Sequence, residues 1–386
     1  MKVLQIIADG SPGGGTTAVL ELSRHLMNAG LEVGILSQRQ SHALQMAKAM
    51  GLKVIDGADF FRSRWDPGIV RRIREAVSNY RPDVTHVHGS RAGLAWIRAT
   101  GQLQKRGRGA SERGVYTVHG YQFWKKPTPI RQIAQAVERR ISRFAFRTIH
   151  VSSSDRKFAL SCGLLDSADR GVVIRNGIDL ETLQQTFGQR DPNRRKHETL
   201  DRGCPVDRRN VGVLGRITRP KNPHLILDLA SDLKEEGFCF HFIGGGDMEN
   251  EIRDRASRES ICNVRFHGSL SRQAALAKLA EQGAFILPSL WEGLPLAPVE
   301  AMAMGIPVVL SKVNGCPEIV DHGKNGLLVA SGDREGFAAA LRRLHADPRA
   351  TERMIANARG KVREEFLVTR VLRDHLEIYK SCRKSP

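Results

Sequence analysis

Short runs of consecutive apolar residues alternate along this chain with longer stretches in which apolar positions recur every three or four residues. Val3-Leu4-Gln5-Ile6-Ile7, Glu32-Val33-Gly34-Ile35-Leu36, Val84-Thr85-His86-Val87, Gly114-Val115-Tyr116-Thr117-Val118 and Thr148-Ile149-His150-Val151 form a first set of runs. A second set comprises Val211-Gly212-Val213-Leu214, Phe238-Cys239-Phe240-His241-Phe242-Ile243, Val264-Arg265-Phe266, Ala284-Phe285-Ile286-Leu287 and Pro307-Val308-Val309-Leu310. Each run reads as a buried strand, and strands separated by helices make a parallel sheet. Between the sets, residues 186–209 are polar and charge-rich and include Arg190-Asp191-Pro192-Asn193-Arg194-Arg195-Lys196. The pattern predicts a first doubly wound α/β domain over 1–188, a linker over 189–209 and a second such domain over 210–366. A length of 386 residues suits two domains. Ligands of such sheets bind beyond the carboxyl ends of the strands, so two facing domains would share a central cleft, with site residues just after strands.

Composition narrows the chemistry. No stretch approaches the roughly 18 to 20 apolar residues of a membrane span, and the first residues run straight into a strand pattern, so a cytoplasmic protein is expected. The six cysteines, Cys162, Cys204, Cys239, Cys262, Cys316 and Cys382, are scattered without metal or disulfide spacing. The net charge is +19; residues 1–200 carry 32 Lys and Arg against 17 Asp and Glu, and residues 201–386 carry 28 against 24. The excess therefore sits in the first half. Such a field attracts anionic partners, whether nucleic acid, acidic membrane or phosphorylated substrate, and is equally compatible with a surface kept basic for solubility.

Three loops that follow strands carry candidate chemistry. After the first strand comes Asp9-Gly10-Ser11-Pro12-Gly13-Gly14-Gly15-Thr16-Thr17, whose glycines let backbone amides approach a phosphate at a helix N-terminus; a tight turn alone would look the same. In the second half, Leu214-Gly215-Arg216 with Lys221, and Ile243-Gly244-Gly245-Gly246-Asp247, follow two strands. Arg216 offers a planar fork and Lys221 a point charge, a pairing suited to a departing diphosphate.

The most specific segment is Pro288-Ser289-Leu290-Trp291-Glu292-Gly293-Leu294-Pro295-Leu296-Ala297-Pro298-Val299-Glu300-Ala301-Met302. Its prolines and glycine exclude regular helix until about Pro298, which suits the first helical position. Glu292 is thus expected in a loop and Glu300 in the first turns of a helix, placed to accept hydrogen bonds from paired hydroxyls such as those of a ribose. The plainer alternative is a solvated Glu292 and a Glu300 that only complements the helix dipole.

Glu292 and Glu300 match the E-x7-E motif of the retaining GT-B glycosyltransferases, and the chain as a whole resembles glycosyltransferase family 4. Thr117-Val118-His119-Gly120, Ile174-Arg175-Asn176-Gly177-Ile178-Asp179 and Asn314-Gly315-Cys316-Pro317-Glu318-Ile319-Val320, with Asn325-Gly326-Leu327-Leu328-Val329, resemble further family signatures in the right order. The resemblance implies two Rossmann-like domains facing a central cleft, with a final helix, 367–386, crossing back to the first domain. It implies that Glu292, His119, Arg216 and Lys221 are catalytic. It also implies that Gly14, Gly15, Gly215, Arg216, Lys221, Gly244, Gly245, Leu270, Glu292, Gly293, Leu294, Pro295, Leu296 and Glu300 hold the donor.

By itself, a His after a strand is commonly a capped polar residue, and His86 and His88 follow a neighbouring strand in the same way. The implied reaction moves a sugar from a UDP- or GDP-sugar to a glycan or lipid-linked acceptor in cell-surface polysaccharide or lipopolysaccharide synthesis. It needs no cofactor and no metal, since no DxD-like motif appears. Basic residues in 62–74 and 125–147, interleaved with Phe60, Phe61, Trp65, Tyr121, Phe123 and Trp124, suit peripheral contact with an anionic membrane. Two alternatives stand beside this one: a nucleotide-sugar epimerase or hydrolase of the same fold, and a basic nucleic-acid-binding protein. No nucleic-acid motif supports the latter.

Overall fold

The computed structural model describes residues 1–55, 57–60, 67–104, 114–121, 123, 127–188 and 207–384. Phe61, Trp65, Trp124, Cys204 and the basic run 190–196 lie outside the described residues, as do parts of both basic clusters. The chain divides into two compact units, one formed by Met1–Gly177 with Val368–Pro386, the other by Ile178–Leu367.

The first unit holds strands β1 (Lys2–Ile7), β2 (Glu32–Ser37), β3 (Lys53–Val54), β4 (Val84–His88), β5 (Gly114–Val118), β6 (Arg147–His150) and β7 (Gly171–Val173). They form one parallel sheet in the order β3-β2-β1-β4-β5-β6-β7. Its helices are α1 (Gly14–Asn28), α2 (His42–Ala49), α3 (Pro67–Tyr80), α4 (Ser90–Gln104), α5 (Thr128–Phe144) and α6 (Ser153–Ser161). Every residue of β4 and β5 is buried, which is why their sequences read as continuous rather than alternating apolar runs. Apolar clusters cover both faces: Trp96, Tyr116 and Ile141 belong to one, Leu20, Leu26, Ile35 and Val115 to the other.

The second unit repeats the plan. Its helices are α7 (Leu180–Gly188), α8 (Pro223–Asp232), α9 (Glu249–Arg258), α10 (Arg272–Ala280), α11 (Leu296–Ala303), α12 (Cys316–Ile319), α13 (Arg334–Ala346) and α14 (Pro348–Glu365). Strands β8 (Asn210–Leu214), β9 (Cys239–Ile243), β10 (Val264–Phe266), β11 (Ala284–Leu287), β12 (Val308–Ser311) and β13 (Leu327–Val329) make a parallel sheet in the order β10-β9-β8-β11-β12-β13. Phe238, Phe240, Phe242 and Phe337 anchor its core.

The chain passes between units at Gly177–Ile178, ahead of the expected linker, and again at Leu367–Val368. The first domain therefore does not run to residue 188. The Ile178 amide donates to the Phe366 carbonyl at 2.8 Å, and α7 packs on α10, so residues 178–188 fold with the second unit. The last helix, α15 (Val368–Lys384), belongs to the first unit and packs along α1.

Helix α5 is buried unevenly. Its later turns pack inward through Ile141 and Glu138; the Glu138 carboxylate accepts from Tyr116 Oη at 2.8 Å and from Ser90 Oγ, and burial raises its pKa. In its first turns Ile130 and Ile133 remain 50% and 65% exposed. Among the described residues no helix is long and apolar enough to cross a membrane.

Candidate functional site

In each sheet, two adjacent strands lead the chain off in opposite directions and open a crevice at their carboxyl ends. In the second unit these are β8 and β11. The loop after β8 carries Gly215, Arg216 and Lys221, and the loop after β11 carries Ser289 to Pro295. The Leu290 amide donates to the Pro220 carbonyl at 2.8 Å, tying the loops together. Lys221 Nζ then reaches Glu292 Oε1 at 2.5 Å, and Ser289 Oγ donates to the same oxygen at 2.6 Å. The two charged side chains are 25% and 10% exposed, so Lys221 is held as one half of a largely desolvated pair. Arg216 is exposed at the mouth of its loop.

The glycine loop after β9 explains the path of the first of these loops. Gly215 N donates to Ile243 O at 3.1 Å and Ile217 N to Gly245 O at 2.9 Å. A Cβ on Gly244, whose φ is +136°, would lie 2.3 Å from the Gly215 oxygen, and one on Gly246 would lie 2.2 Å from the Ile217 oxygen. Two backbones touch here because neither residue carries a side chain. The loop that carries the implied donor residues Gly244 and Gly245 therefore also fixes the position of Gly215.

Glu300 is the fifth residue of α11, which begins at Leu296, so Pro298 occupies the third helical position rather than the first. Its side chain is 2% exposed, and Oε1 accepts from Arg272 Nη2 at 2.6 Å. Arg272 opens α10 and is 35% exposed, so a buried carboxylate is held by a cation that reaches solvent. Leu270, two residues earlier, is 38% exposed, whereas Leu294 and Leu296 are core residues and could reach a ligand only through their backbone. Gly293 O accepts from Gly315 N at 3.1 Å, where a Cβ on Gly315 would clash at 2.1 Å; the Asn314-Gly315 signature thus buttresses the acidic loop from behind.

In the first unit the crevice lies between β1 and β4. Helix α1 starts at Gly14, inside the glycine run, without an acidic residue in its first turn or a side-chain cap. A Cβ on Gly14 would meet nothing within 4 Å, and one on Gly15 would sit 3.8 Å from the His119 ring. His119 thus stands against the start of α1. Burial, with His375 nearby, pushes its pKa down to about 4, so the ring is neutral. His119 Nε2 lies 3.2 Å from His88 Nδ1, while its buried Nδ1 has no hydrogen-bond partner.

The expected site residues thus fall into two groups, with Gly14, Gly15 and His119 in the first unit and the remainder in the second. Sequence reasoning missed Arg272 and Ser289 as the partners of the two acids, and Gln5, His88 and Tyr379 as the polar support of His119. For Gln5 a signal existed: it is the one polar residue in the apolar run Val3–Ile7.

Comparison with known proteins agrees with this architecture. The family described as Glycosyltransferase Family 4 matches residues 12–182, and the one described as Glycosyl transferases group 1 matches residues 199–361. The chain is 30% identical over 204 residues to the amylovoran biosynthesis glycosyltransferase AmsK of Erwinia amylovora, spanning 44% of this chain and half of that protein. It is 26% identical over 313 residues to the UDP-Gal:alpha-D-GlcNAc-diphosphoundecaprenol alpha-1,3-galactosyltransferase of Escherichia coli, covering 78% of each. Among solved structures, Anabaena HepE in complex with UDP and glucose superposes with a TM-score of 0.79 over 99% of this chain and 100% of that one, at 19% identity. The sucrose-phosphate synthase of Thermosynechococcus elongatus gives 0.77 at 18% identity, over 99% and 98%. Two matched family descriptions that between them take in most of the chain, on a fold shared with these enzymes, establish that the chain belongs to the GT-B glycosyltransferases of family 4.

Proposed function

We propose that this chain transfers a sugar from a nucleotide-diphosphate sugar, a UDP-sugar before a GDP-sugar, to a glycan or lipid-linked acceptor during cell-surface polysaccharide or lipopolysaccharide synthesis. The observation that carries this reading is the pairing at the second unit's crevice: Glu292 with Lys221, and the buried Glu300 with Arg272. The relatives support the acceptor class, since one is named for amylovoran biosynthesis and another acts on a diphosphoundecaprenol-linked sugar. UDP in the HepE complex and UDP-Gal in the galactosyltransferase's name favour the uridine nucleotide.

In this reading Glu300 accepts hydrogen bonds from the ribose hydroxyls. Glu292 and the backbone of Gly293, Leu294, Pro295 and Leu296 hold the sugar and its phosphate, while Arg216 and Lys221 face the diphosphate. The bond from the anomeric carbon to the phosphate oxygen breaks, and a bond from the acceptor oxygen forms on the same face, retaining configuration. The acceptor's proton leaves with the departing diphosphate. Catalysis then rests on positioning and on cations already aimed at the developing charge, so no metal is needed.

The test is thermal stabilisation by a panel of UDP-, GDP- and ADP-sugars, because a ligand that binds only the folded state raises Tm by mass action. A rise of Tm with one donor, undiminished in EDTA and abolished in Glu300→Ala, is expected. Equal shifts in wild type and variant would remove Glu300 from the donor site, and a shift that needs divalent metal would end the metal-free mechanism.

The acceptor reading extends to a surface. Ile130 and Ile133 stand exposed on a helix that also carries Arg131, Arg139, Arg140 and Arg143, in the half of the chain with the excess positive charge. Apolar side chains among cations fit an anionic bilayer, consistent with peripheral attachment at the cytoplasmic face. Co-flotation with phosphatidylglycerol-containing vesicles should fall severalfold in the double variant Ile130→Ser, Ile133→Ser. Equal flotation of wild type and variant would exclude this face.

A further inference from the structure

Glu292 brings a negative charge to the point where Lys221 is proposed to face a diphosphate. Lys221 Nζ lies 2.5 Å from Glu292 Oε1. A phosphate oxygen bonded to that ammonium at a usual length of about 2.8 Å is therefore within about 5.3 Å of the carboxylate. The carboxylate is held in place from three sides. Ser289, fully buried, donates from Oγ to the same oxygen at 2.6 Å; the Leu290 amide donates to the Pro220 carbonyl at 2.8 Å, beside Lys221; and the Gly315 amide donates to the Gly293 carbonyl at 3.1 Å. With 10% of its side chain exposed, Glu292 is poorly screened by water. Its field also reaches Cys316. Burial first, and then Glu292, push the pKa of that thiol up against an opposing pull from Lys221, so the thiol stays neutral and adds no charge of its own.

Lys221 and Glu292 thus cancel as charges, and ligands that differ by one charge at this point are weighed differently. A sugar nucleotide and the nucleoside diphosphate left after transfer differ in this way. In the first the β-phosphate is capped by the sugar. In the second it ends as a monoester whose last proton comes off at about pH 6, which adds about one negative charge at neutral pH.

We infer that Glu292 is a specificity-determining residue that disfavours the free nucleoside diphosphate relative to the sugar nucleotide, and so speeds product release and limits product inhibition. The inference rests on the reading that Lys221 faces the diphosphate, and it concerns a role separate from any contact of Glu292 with the sugar. When the bond from the anomeric carbon to the phosphate oxygen breaks, the electron pair stays on that oxygen and the acceptor's proton joins it. The leaving group then carries the same charge as the donor did. Only when this proton passes to water does the additional charge appear, beside a fixed carboxylate of the same sign. The penalty falls on the product and spares the transfer step. Discrimination of this kind comes from an unfavourable contact built against the wrong ligand.

Titration calorimetry with UDP and its β-methyl ester, and in parallel with GDP and its β-methyl ester, tests this at neutral pH. The methyl ester has the charge of a sugar nucleotide and none of the sugar's hydroxyls, so the comparison separates charge from sugar contact. Wild type should bind the methyl ester more tightly than the free diphosphate. In Glu292→Gln, of the same shape but uncharged, the free diphosphate should bind about tenfold more tightly while the methyl ester changes by less than about threefold, and the preference is lost. Glu292→Ala should lose it too, whereas Glu292→Asp, which keeps the charge, should retain it. Inhibition of transfer by the free diphosphate should strengthen in Glu292→Gln to the same extent. An unchanged preference in both uncharged variants, or equal weakening of both ligands as expected if Glu292 only braces the loop, overturns the inference while leaving the donor site standing. Failure of wild type to bind any of the four ligands overturns the donor reading, and this inference with it.

Discussion

The first unit keeps its crevice polar with neutral groups, whereas the second keeps full charges there in pairs. His86, His88, His119 and His375 are buried in the first unit, and all have depressed pKa values because burial penalises the imidazolium. In the second unit Glu292 and Glu300 remain near solvent-reaching cations, Lys221 and Arg272. Both arrangements satisfy polar atoms in an apolar setting, but they depend on different conditions. A neutral network specifies direction and fails when a proton is added. Charged pairs fail when one partner is removed.

Acid should separate the two most strongly. A histidine whose folded pKa lies below its unfolded value of about 6.5 contributes stability that is complete above that value and is lost as pH falls toward the folded pKa. His119, His150 and His375 are each held near 4, so each costs the first unit up to about 1.4 kcal/mol per pH unit between about 6.5 and 4. The second unit has one comparable pair, His241 and His267, which is partly exposed. Hydrogen exchange at pH 5 should therefore open β4 and β5 before β8 and β11. Simultaneous opening would mean that the histidine network does not set the acid limit.

Next in size is Lys221→Met, which leaves Glu292 its hydrogen bond from Ser289 but removes the cation. Transfer should fall about 10²- to 10³-fold, as when one preorganised group is withdrawn from developing charge, with β9 and β10 unchanged in hydrogen exchange. A loss below tenfold would reduce Lys221 to a partner of Glu292. The smallest effect expected is that of Gly246→Ala, whose new methyl must displace the Ile217 carbonyl. It should cost about 1–3 kcal/mol by denaturant unfolding and impair donor binding by moving Gly215. Wild-type stability and binding would show that the contact between the two loops relaxes easily.

How much of this was legible in the sequence follows from the range of the interactions. Buried strands write themselves as apolar runs, so ten of the thirteen described strands were readable; β3, β7 and β13, two or three residues long, were not read as strands. The acidic loop was readable because proline and glycine punctuate it. Its partners were not: Arg272 meets Glu300 across 28 positions and Lys221 meets Glu292 across 71, and nothing in local spacing records a contact made by topology. The end of the first unit was misplaced for the same reason. Residues 178–188 look like a continuation of that unit until α7 is seen against α10.

Tyr379 reaches Gln5 across 374 positions of sequence. During synthesis at about 5–20 residues per second, β1 therefore waits roughly 20 to 75 s for the phenol that orients its central amide. Over that interval the second unit can emerge and fold while the buried polar groups of the first stay open to water. The unit whose sequence comes first is the last to be completed, because the Tyr379 hydroxyl meets Gln5 and His86 only when α15 docks.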